Sequence, residues 1–275
     1  MNICFIGGGN MATALIGGLL GNGLPTEHVC VVEIDADSRA RLHRDLAVQA
    51  VDNLVEGIFG SQVIVLAVKP QQLRDVAQQL APLLRGQLLI SIAAGIRAGD
   101  LARWANNPAV VRAMPNTPAL IRSGMTGLYA LPAVSAVQCG QAQDILEAVG
   151  EVLWVQDEAM LDAVTAISGS GPAYVFYFIE ALQQAARELG LNAAEARRLS
   201  LATFLGASQL AAGSDEDISV LRARVTSRNG TTERALLNMA ANRVAEHIAQ
   251  AAHAAADRAR EMGDELGDKP GGNQP

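Results

Sequence analysis

Nearly continuous apolar runs alternate with stretches of helical periodicity through the first half of the chain. Residues 2–6, 29–34, 63–68, 88–93 and 109–112 are rich in Val, Ile, Leu and Ala with little polar alternation. That is the pattern of strands buried on both faces of a parallel sheet. Residues 11–20, and a polar stretch from about Asp37, read as helices between them. Pro70 can open another, because the first helical position needs no N–H. Residues 125–130 and 151–155 predict a last pair of strands. From about Asp157 the strand pattern stops, with helix starts near Pro172, at Ala193 and at Thr231. Residues 232–262 contain neither Gly nor Pro, and Leu236, Met239, Ile248, Ala251, Ala255 and Met262 form a loose helical stripe. This predicts one helix of about 30 residues, far above the usual length and able to pack on another subunit. The polar end, 263–275, predicts a disordered tail. The expected fold is therefore α/β: a Rossmann-type, mostly parallel sheet with helices on both faces over residues 1–156, then an all-α domain over 157–262.

Length and composition agree with two domains. The chain has 275 residues, 50% of them hydrophobic and only 4% aromatic, so small aliphatic residues must fill the core. A net charge of −7 with no basic cluster argues against nucleic acid or an anionic membrane as partner. Cys4, Cys30 and Cys139 are odd in number and far apart, which fits reduced cysteines in a cytoplasmic protein. Neither they nor the scattered His28, His43, His247 and His253 have metal-site spacing, so no metal is expected. No charge precedes Glu27, but the N-terminus lacks a basic region, and glycines interrupt its apolar run, unlike a signal peptide. Residues 123–143 and 163–179 are uncharged but contain Pro, Gly and Ser, unlike membrane spans.

Ile6-Gly7-Gly8-Gly9-Asn10-Met11-Ala12 follows the first strand, opens the first helix, and fits G-x-G-x-x-A. Gly7 permits the tight turn, Gly9 lets a pyrophosphate approach the backbone, and Ala12 allows close helix–strand packing. The helix N-terminus adds free N–H groups and a positive dipole end. In the required strand–turn–helix order this predicts dinucleotide binding. A carboxylate closing the second strand, Glu33 or Asp35, would take both adenosine ribose hydroxyls and repel a 2′-phosphate. Glu33 is the preferred ligand, with one of the two acids simply starting the loop. Arg39 and Arg41 lie close enough to recruit a phosphate, so NADH and NADPH both stay open.

Four further segments sit at chemically useful places. Ala67-Val68-Lys69-Pro70-Gln71 and Arg112-Ala113-Met114-Pro115-Asn116-Thr117-Pro118 end strands, where open α/β sheets bind ligands. Lys69 is one of only two lysines, with Lys269, and either serves the cofactor or is a solvated charge before a helix. Asn116 and Thr117 between prolines make a rigid polar turn. Ile167-Ser168-Gly169-Ser170-Gly171-Pro172-Ala173-Tyr174 opens a helix, where capping and close packing explain it as well as substrate contact does. Val225-Thr226-Ser227-Arg228-Asn229-Gly230-Thr231-Thr232 places Gly230 and Thr231 at a helix start, an anion pocket suited to a carboxylate. The plainer reading is a Thr N-cap with Glu233 favouring the dipole.

Together, in this order from Met1 to about Met262, these blocks resemble the signature segments of pyrroline-5-carboxylate reductases. The resemblance implies a nucleotide-binding domain and a helical dimerisation domain with interleaved helices, a homodimer or larger oligomer, and an active site between the domains. It implies NADPH or NADH as cofactor, held by Gly7, Gly8, Gly9, Asn10, Met11, Ala12, Glu33, Asp35, Asn53, Ala67, Val68, Lys69, Pro70, Ala94 and Asn116. It implies that 1-pyrroline-5-carboxylate is bound by Met114, Pro115, Asn116, Ser227, Gly230, Thr231 and Thr232, with Thr232 near the imine nitrogen and Thr232 and Lys69 as catalytic candidates. Hydride transfer to the C=N carbon would give L-proline. Such chemistry asks for alignment more than for acid–base side chains. Two departures stand out. Arg228-Asn229 replaces the usual Pro-Gly, although Asn tolerates a left-handed backbone. Glu33-Ile34-Asp35 replaces an Asn-Arg-Ser-like sequence suited to a phosphate. A β-hydroxyacid dehydrogenase would need a lysine base in the second domain, yet residues 151–262 contain none. A non-catalytic dinucleotide sensor would need no carboxylate pocket.

Overall fold

The computed structural model describes residues 1–267, and the chain divides into two compact units. One comprises Met1–Ser170 and the chain from Ala255 onward; the other is Gly171–Ala254. The division falls later than the expected 156/157 boundary, and the end of the last helix returns to the first unit.

The first unit is an eight-stranded sheet: β1 (Ile3–Ile6), β2 (Val29–Val32), β3 (Gln49–Val51), β4 (Val63–Leu66), β5 (Leu88–Ser91), β6 (Val110–Met114), β7 (Gly124–Ala130) and β8 (Gly150–Trp154). Their order across the sheet is β3-β2-β1-β4-β5-β6-β7-β8. All pairs are parallel except β6–β7. The connection from β6 to β7 is a short 3₁₀ turn, Thr117–Ile121, which cannot make the crossover a parallel pair needs. The helices α1 (Asn10–Gly21), α2 (Ala36–Leu46), α3 (Leu54–Gly57), α4 (Pro70–Leu80), α5 (Ala98–Ala105) and α6 (Ala136–Glu147) accompany it. Two buried clusters form: Phe5, Leu15, Ile16 and Leu146 belong to one, and Ile64, Leu66, Leu73 and Trp104 to the other. β1, β4 and β5 are fully buried, as their unbroken apolar sequences require. β3 is absent from the pattern reading because three residues make too short a run to register.

A helix α7 (Met160–Val164) and a π-turn (Thr165–Gly169) lead out of this unit. The second unit contains α8 (Gly171–Glu188), α9 (Ala193–Ala212), α10 (Ile218–Arg224) and α11 (Thr231–Ala241), and α12 (Val244–Leu266) begins in it. Asn192 caps α9 through a capping box with Glu195. The expected single helix over 232–262 is two. The Asn242 amide donates to the Asn238 carbonyl at 2.8 Å, and Arg243 adopts a left-handed φ of 54°. The Asn238 carbonyl still takes the Asn242 backbone N–H at 3.1 Å, so the helix path is broken by the left-handed residue Arg243. The expected tail is corrected in part: α12 continues through Gly263 to Leu266. Arg97 pairs with Asp264, and Met262 and Leu266 close over Gly95, whose added Cβ would meet them at 3.0–3.2 Å. Residues 268–275 lie outside the described ones.

Arg112 on β6 is buried and holds Glu158 at 3.0 Å and Asp162 at 4.0 Å. Glu158 also accepts the Ala98 N–H at 2.7 Å, satisfying the opening of α5. Truncating one member leaves the other charges half-buried and unpaired. Arg112→Ala is expected to lower the unfolding free energy by roughly 3 kcal/mol, read as a shift in the urea midpoint at unchanged slope.

Candidate functional site

The turn after β1 is shaped by one close approach. Gly7 has φ 99°, and a Cβ there would lie 2.7 Å from the Ala67 carbonyl oxygen at the end of β4. β1 and β4 are neighbours, and the chain leaves them in opposite lateral directions, which opens a crevice. Gly7 N–H donates to Val32 O at 2.8 Å, fastening the turn to β2. Gly9 is the N-cap of α1, exposed, with no side-chain cap and nothing within 4 Å of its Cβ position. The opening of α1 therefore has uncapped amides and room for an anion.

Beyond the turn lies a cavity of about 970 Å³. It gathers Gly7, Gly8, Gly9, Glu33, Asp35, Asn53, Ala67, Val68 and Lys69 of the residues expected to meet a dinucleotide. Size, shape and uncapped helix opening fit such a cofactor. The other expected contacts lie outside this lining. Asn10 opens α1 at the surface, Met11 packs on the core, Ala12 is buried beneath the helix, Pro70 is the first residue of α4, and Ala94 follows β5. Sequence reading missed Asp52, Ile34, Asp75, Val76 and Leu83 on the cavity wall. Asp52 follows β3, the strand the pattern did not register; Asp75 and Val76 face the cavity from α4, a placement that needs the helix docked.

Glu33 and Asp35, equivalent in sequence, have different tasks. Glu33 Oε2 accepts the Gly8 N–H at 2.9 Å and Oε1 the Asp35 N–H at 3.0 Å. Asp35 caps α2, accepting the Ser38 N–H at 2.8 Å. Its Ser38 hydrogen bonds, aided by Arg39 and Arg41, hold its carboxyl below the ordinary range. Arg39 donates to Glu33 O at 2.8 Å and Ile34 O at 2.9 Å and stands 3.7 Å from Asp52. Its guanidinium is thus committed to the loop. Lys69, the N-cap of α4, is exposed and among the described residues is the one cation on a wall that also carries Glu33, Asp35, Asp52 and Asp75.

At the end of β6, Met114 is partly buried, and Pro115 and Asn116 are buried, while Thr117 is exposed. The Asn116 side chain already has partners at both ends: Nδ2 donates to Ser168 O at 3.0 Å and Oδ1 accepts the Met125 N–H at 2.9 Å.

In the second unit, Ser227, Gly230, Thr231 and Thr232 form a second helix opening. Gly230, not a threonine, is the N-cap of α11, and no side chain caps it. Gly230 N–H donates to Ser227 O at 3.0 Å, and an added Cβ would collide with Ser227 Oγ. Asn229 is left-handed at φ 59°, and its N–H donates to Glu233 Oε2 at 2.7 Å. Asn at this position thus keeps the turn despite the departure from Pro-Gly. The first-turn amides of α11 have no side-chain cap, and the Ser227, Thr231 and Thr232 hydroxyls are nearby in sequence: a neutral set suited to a small carboxylate. Among the described residues no cluster of His, Cys, Asp or Glu could hold a metal ion, no helix is long and apolar enough to cross a membrane, and the three cysteines are free.

Comparison with known proteins points one way. The family model described as pyrroline-5-carboxylate reductase dimerisation matches residues 158–262, and the one described as NADP oxidoreductase, coenzyme F420-dependent, matches residues 2–95. The chain is 50% identical over 242 residues to the pyrroline-5-carboxylate reductase of Pseudomonas aeruginosa, covering 87% of this chain and 89% of that one. It is 43% identical over 237 residues to that of Haemophilus influenzae, covering 85% and 87%. The solved pyrroline-5-carboxylate reductase of Coxiella burnetii superposes with TM-score 0.91 at 39% identity, covering 95% of this chain and 98% of that one. The Plasmodium falciparum pyrroline carboxylate reductase, solved with NADP bound, gives 0.84 at 28%, covering 96% and 98%.

Because Gly7 has both a left-handed backbone and no room for a methyl, Gly7→Ala should cost about 2 kcal/mol of stability. It should also weaken dinucleotide binding at least about tenfold, since a shifted turn misaims the α1 amides. Thermal melts and titration of reduced-nicotinamide fluorescence would read the two effects separately.

Proposed function

The chain belongs to the pyrroline-5-carboxylate reductases, and from that premise we propose that its two uncapped helix openings divide the substrates, α1 taking the cofactor pyrophosphate and α11 the imine's carboxylate. It is an NAD(P)H-dependent oxidoreductase that reduces the C=N bond of 1-pyrroline-5-carboxylate to L-proline, the last step of proline biosynthesis. The bound cofactor supplies the hydride. The chain's own residues bind and align. Gly8 and Gly9 present the loop to the pyrophosphate, and Glu33 takes the adenosine ribose. Lys69 offsets phosphate charge, and residues 114–117 line the nicotinamide side, as do Ala67, Val68 and Ala94. Ser227, Gly230, Thr231 and Thr232 receive the substrate carboxylate, with the Thr232 hydroxyl assigned to the imine nitrogen. The observation that carries this reading is the α11 opening, where Gly230 leaves the amides uncapped and Ser227 sits against it. A protonated imine is already electrophilic, so a site of amides and hydroxyls is sufficient.

Cofactor preference follows from the wall around Glu33. Three carboxylates, Glu33, Asp35 and Asp52, border the ribose end, and Arg39 is tied to two carbonyls. A 2′-phosphate there would meet like charge, so NADH is the preferred donor. The second unit exposes Phe176, Tyr177, Leu205, Leu210 and Leu237, large apolar side chains that association between subunits would cover. That supports a homodimer, or an oligomer built from dimers, joined through this unit. The acidic balance and free cysteines support a cytoplasmic enzyme without nucleic-acid or membrane partners.

Oxidation of NADH or NADPH by the purified protein with 1-pyrroline-5-carboxylate tests the reaction, and no turnover with either cofactor by a folded, cofactor-binding preparation would reject it. Thr232→Ala should raise the KM for the imine or lower kcat by about tenfold while cofactor affinity stays nearly unchanged; an equal loss of cofactor binding would misplace Thr232. Glu33→Ser should shift the NADPH-to-NADH ratio of kcat/KM upward by roughly 10- to 100-fold, and an unaltered ratio would remove Glu33 from ribose recognition.

A further inference from the structure

Asn116 and Pro172 stand in separate sequence blocks, and each explains the other. In an α-helix the carbonyl of residue i takes the N–H of residue i+4. For Ser168 that residue is Pro172, which has no N–H and whose ring crowds the carbonyl four positions back. The local helix is already widened. Thr165–Gly169 is a π-turn closed by Ser170 N–H to Thr165 O at 2.8 Å. The hydroxyls of Thr165 and Ser168 donate back to the carbonyls of Leu161 and Val164 at 2.7 and 3.0 Å, a pattern that bends helices. The Asn116 amide occupies the carbonyl thus left over. Its Nδ2 donates to Ser168 O, and its Oδ1 receives the Met125 N–H. One partner can only accept and the other can only donate, so the amide's orientation is determined. At 9% exposure, Asn116 has little water to replace either partner. Gly169 completes the fit, since a Cβ there would lie 2.7 Å from Met114 Cε of the same turn.

We propose that Asn116 is a positioning residue for hydride transfer, a clamp between the proline-orphaned carbonyl of Ser168 and the amide of Met125 that fixes the 114–117 turn. The inference rests on the reading that this turn lines the nicotinamide side. The Asn116 amide then acts through the backbone it holds rather than by touching a ligand. Small displacements of aligned reactants are costly, about 10²-fold for 1 Å, so loosening this turn should appear in kcat before it appears in binding.

The test attacks the clamp from both sides in the full-length enzyme. Pro172→Ala gives Ser168 O an N–H partner from its own helix and leaves the 114–117 turn chemically unchanged. Because Ala favours a helix over Pro, its Tm should hold or rise. Its kcat should nevertheless fall about tenfold, with KM for imine and cofactor changed by less than about threefold. Amide hydrogen exchange of residues 114–125, measured without any ligand, should quicken. Asn116→Ala should show the same kinetic split and faster exchange, most of all at Met125, with a lower Tm. The proposal is overturned if Pro172→Ala keeps wild-type kcat, whether or not exchange quickens, or if the kinetic losses of the two variants simply track Tm. Exchange reports on the clamp independently of catalysis, and turnover by the wild-type enzyme tests the reductase reading, so failure of one is distinguishable from failure of the other.

Discussion

Gly7 lies against the carbonyl of Ala67 because it has no side chain, and the shape of the nucleotide crevice depends on that contact. Two neighbouring parallel strands, β1 and β4, must send their chains apart at the crevice mouth while their ends stay within van der Waals reach. The left-handed φ of Gly7 does this in one residue. It turns the Gly8 amide toward Glu33 and leaves Gly9 at an open helix start. A longer or bulkier turn would bury those amides or aim them elsewhere, and the cavity beyond would lose its anion-binding end.

The charged groups around the crevice are mostly committed to holding backbone. Glu33 holds Gly8 and Asp35, Asp35 holds Ser38, and Arg39 holds two carbonyls. This allocation suits the reaction. A reductase of a cyclic imine must align a ring and anchor a small acid, and mobile charges would compete for both. Preorganised dipoles need little rearrangement during the transfer. Lys69 stands on the same cavity wall as an exposed helix N-cap residue.

Strand and helix identities were legible where one physical pattern dominated: continuous apolar runs for β1, β4 and β5, and the Ala193 and Pro70 helix starts. The misses have local causes. β3 is three residues long. The break between α11 and α12 comes at Arg243, which takes a left-handed φ of 54° without a Gly or Pro as a sign. The helical residues 263–266 look like a tail because their partners, Arg97 and Gly95, lie far back along the chain. The uncapped opening of α1 at the glycine turn was legible, since the relevant atoms are local backbone. Glu33 was preferred over Asp35 as ligand, but that Asp35 caps α2 was not legible, because capping and ligand binding draw on the same residue types.

The Arg228-Asn229 pair shows what a signature block encodes. A Pro-Gly pair would supply a rigid φ and a residue tolerant of the left-handed region. In this chain Asn229 adopts φ 59° and gives its N–H to Glu233, so the same path is reached with different residues. Gly230 is less replaceable, because its Cβ would collide with Ser227 Oγ. Pro172 follows the same logic in reverse, contributing an absent N–H rather than a group. In each block the constraint falls on where backbone donors and acceptors are left unpaired.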